Sequence, residues 1–123
     1  MPFNATGAAN FIDGHAQPHS TNNCAAYVRR AIQWGGVYVT PTNNAKDYGP
    51  NLVAAGFYAV TDAPQKGDVV VIDGIAGHSH GHMAMFDGSK WVSDFKQRAG
   101  TEGFYPGPDY RRVKPSYTIY RHN

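Results

Sequence analysis

An α+β fold is predicted, with helices in the first half of the chain and an antiparallel sheet in the second. Apolar residues recur at helical spacing only before residue 60, whereas β-branched and alternating runs follow it. Fourteen Gly and eight Pro among 123 residues, with only 16% charged residues, argue against a helical bundle. The length supports one compact domain, residues 1–123.

Ala5 to Gly14 is predicted as a short helix, with Phe11 and Ile12 as its apolar patch. A polar loop, His15 to Asn23, leads to a second helix, Cys24 to Trp34. There Cys24, Tyr27, Val28 and Ala31 share one face at i, i+3, i+4 and i+7, Thr21, Asn22 and Asn23 are competent caps, and Gly35-Gly36 ends the run. Ala45 to Ala55 is predicted as helical but interrupted at Gly49-Pro50. Val69 to Ile72 is an unbroken β-branched run, expected as a central strand buried on both faces. His82 to Phe86 and Lys90 to Lys96 form a predicted hairpin around Asp87-Gly88-Ser89. A three-residue turn places His82 opposite Asp94, and a two-residue turn places it opposite Ser93. Gln97 to Pro108 is expected as a loop and Tyr117 to Tyr120 as a last strand. Trp34, Tyr27, Trp91 and Phe95 are expected in the core.

Eleven Lys and Arg against nine Asp and Glu leave a net charge of +2, too diffuse for a nucleic-acid binder. The single cysteine excludes an internal disulfide and a multi-cysteine zinc site. Met1 to Asn10 lacks the pattern of a cleaved signal peptide, and no stretch is long and apolar enough for a membrane span.

Cys24 opens its helix, where free backbone N–H groups and the helix dipole favour a thiolate. Thiolate attack on an amide needs a base that later returns the proton to the leaving amine, and histidine suits both steps. His82 is the candidate base, and Asp94, on the next strand, is the candidate group for orienting its ring.

These segments resemble the CHAP family, the cysteine, histidine-dependent amidohydrolases/peptidases, which belong with NlpC-type enzymes to the papain-like superfamily. Asn23-Cys24-Ala25-Ala26-Tyr27-Val28 is similar to the nucleophile helix, and Lys66-Gly67-Asp68-Val69-Val70-Val71 to the Gly-Asp strand before the histidine. Gly81-His82-Met83-Ala84 is similar to the Gly-His strand, and Trp91-Val92-Ser93-Asp94-Phe95 to the strand supplying the third polar residue. The resemblance implies a papain-like fold and hydrolysis of an amide in the stem peptide or cross-link of peptidoglycan, with no cofactor. It further implies Cys24 as nucleophile, His82 as base and acid, and Asp94 as orienting residue, with Ser93 or a backbone carbonyl as the substitute. Pro18 stands where a papain-type oxyanion glutamine would fall, so the Cys24 backbone N–H is the first oxyanion donor, with His19, Ser20 or Gln17 as the second. In size the chain also looks like a type VI secretion amidase effector, delivered into a rival's periplasm and paired with a cognate immunity protein.

Two other readings stand beside this one. A phage-lysin catalytic domain would carry the same residues. His78, His80 and His82 have the His-x-His-x-His spacing that puts three imidazoles on one face of a strand, as in a metal-binding module. Arg29 and Arg30 are expected as a solvated helix face that could attract stem-peptide carboxylates, and Asp68 as a turn-fixing residue.

Overall fold

A computed structural model describes every residue except Met1 and Thr101, the latter within the predicted Gln97 to Pro108 loop. Helices α1 (Ala5–His15) and α2 (Cys24–Trp34) come first, then a 3-10 turn (Ala45–Asp47) and α3 (Gly49–Ala54). Strands β1 (Tyr58–Val60), β2 (Val69–Ile72), β3 (His82–Phe86) and β4 (Trp91–Val92) follow, then α4 (Pro108–Val113) and β5 (Tyr117–Arg121). The strands form one sheet in the order β1-β5-β2-β3-β4, with every neighbouring pair antiparallel. The interruption expected at Gly49-Pro50 falls between the 3-10 turn and α3, with Pro50 in the first turn of α3, where its missing N–H costs nothing. β1 and α4 were not anticipated: their three and six residues are too short for a periodic signal.

The sheet is buried on both faces. Toward α1 and α2, Val69, Val71, Met83 and Met85 pack with Ile12, Val28 and Ile32. On the opposite face Val70, Ile72 and Ala84 meet Trp91, Phe104, Tyr105 and Tyr110. All four β2 residues are buried, each such aliphatic side chain contributing about 1.5–3 kcal/mol. Asp68, fully buried at its start, accepts from the Gln65 N–H at 2.9 Å and from the Arg121 guanidinium at 2.9 and 2.8 Å, so the predicted turn is also tied to β5. Trp34 departs from its expected place: it lies off the buried stripe of α2, is 68% exposed, and stacks on Phe11.

The hairpin adopts neither expected register. Phe86 pairs with Trp91 and Met85 with Val92 across a four-residue turn, Asp87 to Lys90. The Asp87 carboxylate accepts from the N–H groups of Ser89 and Lys90, both at 2.8 Å, and so supplies the turn's hydrogen bonds from a side chain. β4 then ends at Val92, and the Ser93 N–H turns back to the Phe95 carbonyl. Neither Asp94 nor Ser93 faces His82 across a strand pair.

Candidate active site

A cleft of about 880 Å³ opens where the start of α2 meets the start of β3, and both Cys24 and His82 line it. On the α2 side the Asn23 side chain makes no capping bond but turns back to Thr21. The first-turn N–H groups of α2 are therefore left without a side-chain cap, at the positive end of the helix. Asn22 holds the left-handed conformation, φ 63°, that bends the loop into the helix.

Burial pushes the Cys24 thiol up to about 11, and the nearby Asp94 charge acts in the same direction. The N–H groups of Met83, Ala25 and Cys24 oppose this and are outweighed, so the thiolate expected from the helix terminus alone is not the resting form. The Met83 contact follows from the hairpin register. β4 covers β3 only at Met85 and Phe86, which leaves the β3 edge at Met83 open to the sulfur, one residue from His82.

His82 is 6% exposed. Side chains alternate along β3, so it shares the face of Ala84 rather than that of Met83 and Met85, and the chain covering that face supplies its partner. The His82 Nε2 lies 2.7 Å from the Gln97 Oε1. The Gln97 amide nitrogen donates to the carbonyls of Phe104 at 2.6 Å and Gly103 at 3.4 Å. Carbonyls only accept, so this orientation turns the Gln97 oxygen toward the ring, puts the imidazole hydrogen on Nε2 and leaves Nδ1 as the basic nitrogen. Burial holds His82 below the usual imidazole range, while Gln97 and the charge of Asp94 raise it. The pair at rest is a neutral thiol and a neutral imidazole.

Asp94 is fully buried and makes its bonds elsewhere. It accepts from the Thr21 N–H, the Thr21 hydroxyl at 2.9 Å and the Asn23 N–H at 3.3 Å, with Ser93 Oγ donating at 3.1 Å. Burial raises its pKa, and these donors more than reverse that, so Asp94 is held below the ordinary carboxylate value. Its hydrogen bonds tie the loop before Cys24, while the orienting position beside His82 is filled by Gln97. Ser93 is fully buried and its hydroxyl bonds to Asp94, away from His82.

Of the three possible second oxyanion donors, Ser20 alone lines the cleft. His19 is exposed and outside it, and Gln17 is exposed with its backbone N–H on the Asp94 carbonyl. Ser20 Oγ accepts from the Asn22 N–H at 3.4 Å, which leaves its own hydrogen to donate.

The three histidines do not converge. His78 faces Asp109 at 3.6 Å, His80 bonds to Asn44, and His82 bonds to Gln97. Gly77 and Gly81, both at positive φ, break the strand alternation their spacing suggested. No group of three metal-ligating side chains comes together among the described residues. Gly81 has a further role, because a Cβ there would overlap the Ile72 carbonyl and press on Lys46. Only glycine lets His82 enter the sheet here.

The CHAP domain family matches residues 14–101. The chain belongs to the CHAP family. This CHAP chain is also similar to the effector in two crystal structures of the type VI effector–immunity complex Tae3-Tai3 from Ralstonia pickettii. The native complex is matched at 52% identity and TM-score 0.93, over 98% of this chain and 100% of that one. The selenomethionine complex is matched at 54% identity and TM-score 0.88, over 94% and 99%. No curated protein matches. The CHAP span takes in Cys24, His82, Asp94 and Gln97, whereas Tyr110, which also lines the cleft, lies beyond it. Sequence reasoning missed Gln97 because it stands in an aperiodic segment. The available signal was the parity of β3, which turns His82 toward whatever covers the Ala84 face.

Proposed function

We propose that this CHAP chain is a cysteine-dependent amidase of peptidoglycan, an antibacterial type VI effector that acts in the periplasm of the recipient cell. Carrying this reading is the meeting, in one cleft, of an uncapped helix N-terminus bearing Cys24 with a buried histidine whose tautomer is set by Gln97. The similarity to an effector crystallised with its immunity protein favours the effector reading over a lysin, and a cognate immunity protein is the expected partner.

In the mechanism, His82 Nδ1 takes the Cys24 proton as Sγ attacks the amide carbonyl, so the charged pair exists only while bonds are changing. The oxyanion is met by the free N–H groups at the start of α2 and by the Ser20 hydroxyl. His82 then protonates the leaving amine, and the acyl group stays on Cys24 as a thioester. Water deprotonated by His82 releases the acid and restores the thiol. Gln97 acts through His82, and Asp94 through the Thr21 to Asn23 loop.

The test is to incubate Gram-negative peptidoglycan with wild type and with Cys24→Ala and to identify the released fragments by mass spectrometry. Fragments seen only with wild type are expected, and their ends name the amide that is cut. Intact peptidoglycan after treatment with folded wild type would overturn the substrate assignment.

A further inference from the structure

Arg29 lies on α2 five residues after Cys24, and it is the one Lys or Arg lining the cleft among the described residues. Its Nε is buried and has no hydrogen-bond partner, and no carboxylate of the described residues pairs with its guanidinium. The other full charge on the cleft wall, Asp109, already faces Arg112 at 3.0 Å and His78 at 3.6 Å. A buried guanidinium donor without an acceptor is costly, and the planar fork of an arginine matches a carboxylate. Arg29 stands one helical turn after Ala25 and Ala26, which line the cleft with it.

Resting on the amidase reading, we propose that Arg29 is a specificity residue that binds a free carboxylate of the stem peptide, so that peptidoglycan with amidated carboxylates is a poor substrate. Five helical residues rise about 7.5 Å, roughly two residues of extended peptide, so the recognised carboxylate lies close to the amide being cut. The contact is made before and during reaction alike, and its loss should raise KM more than it lowers kcat.

The probe is a preparation of muropeptide dimers in two forms, one with free carboxylates and one with the carboxylates converted to amides by carbodiimide and ammonia. Wild type, Arg29→Met and Arg29→Lys are compared on both by mass-spectrometric rate measurement. On the free form Arg29→Met is expected to raise KM by roughly 10- to 100-fold, with Arg29→Lys between it and wild type. On the amidated form wild type should fall to the level of Arg29→Met, and the three proteins should differ little. Equal losses for Arg29→Met on both forms, or wild type indifferent to amidation while still requiring Cys24, would overturn this inference alone. Wild type inactive on both forms would overturn the amidase reading and the inference with it. Should Arg29→Met fail to fold, the same split between the two forms is read with Arg29→Lys.

Discussion

Asp94 and Gln97 are three residues apart, and each anchors one half of the site. Asp94, charged and fully buried, gathers three donors from the loop ahead of Cys24. Gln97, neutral, takes the hydrogen of the His82 ring on one end of its amide and gives its own hydrogens to two carbonyls on the other. A carboxylate can only accept, so it suits a loop that presents N–H and O–H groups. An amide both accepts and donates, so it can set the tautomer of a base while itself being held. A chemically stronger group is thereby placed where it shapes backbone, and a weaker one where it touches the His82 ring.

The comparison can be broken most sharply at His82. Replacing it by alanine should reduce hydrolysis by about a thousandfold or more and slow alkylation of Cys24 by iodoacetamide at pH 7, because burial keeps the thiol protonated unless the imidazole takes its proton. Alkylation as fast as in wild type would show that the thiolate forms without the histidine.

Gln97→Ala should lower kcat on the order of 10- to 100-fold, less than the loss of the carboxylate from a serine-hydrolase triad, because a neutral amide stabilises imidazolium less. Its hydrogen bond raises the His82 pKa. Removing it should therefore move the acid limb of the kcat/KM profile to lower pH, and Gln97→Glu should move it to higher pH. Asp94→Ala should instead lower stability by about 2–4 kcal/mol in urea titration, since it orphans several part-buried donors, and should move the acid limb to lower pH by less than Gln97→Ala does, because Asp94 reaches His82 only through its charge. An Asp94 variant of normal stability that loses activity with an acid limb displaced further than in Gln97→Ala would reverse the two roles.

Asp94→Asn is the gentler probe, expected to cost about 1–2 kcal/mol at neutral pH because an acceptor oxygen remains. The pKa of Asp94 is depressed in the folded protein. Its stabilisation is complete above the unfolded carboxylate value near 4 and is lost as pH falls through the lower folded value. The gap between wild type and Asp94→Asn should narrow over that acid range when both are melted as a function of pH.

Much of this was legible along the chain. The stripe from Cys24 to Ala31 placed the cysteine at the start of α2, and the β-branched run Val69 to Ile72 marked the middle of the sheet. The predicted segment His82 to Phe86 matches β3. All of these depend on residues a few positions apart. Hairpin register was not legible, because it turned on how one carboxylate, Asp87, folded a four-residue turn. That small change removed Asp94 from the face of His82, and β4, only two residues long, left the Met83 edge open to Cys24.

The sequence by itself determined the order of elements, the helix-borne cysteine and the strand-borne histidine, since periodicity, caps and β-branching act locally. Tertiary structure alone decided that Gln97 meets His82, that Ser20 rather than His19 enters the cleft, and that the histidines at 78, 80 and 82 go separate ways. Those outcomes depend on which segment covers which face of the sheet. The aromatic packing of Trp91, Phe104 and Tyr105 holds Phe104, and with it the carbonyl that anchors Gln97, against the Ala84 face, and contacts so distant in sequence leave no local pattern to read.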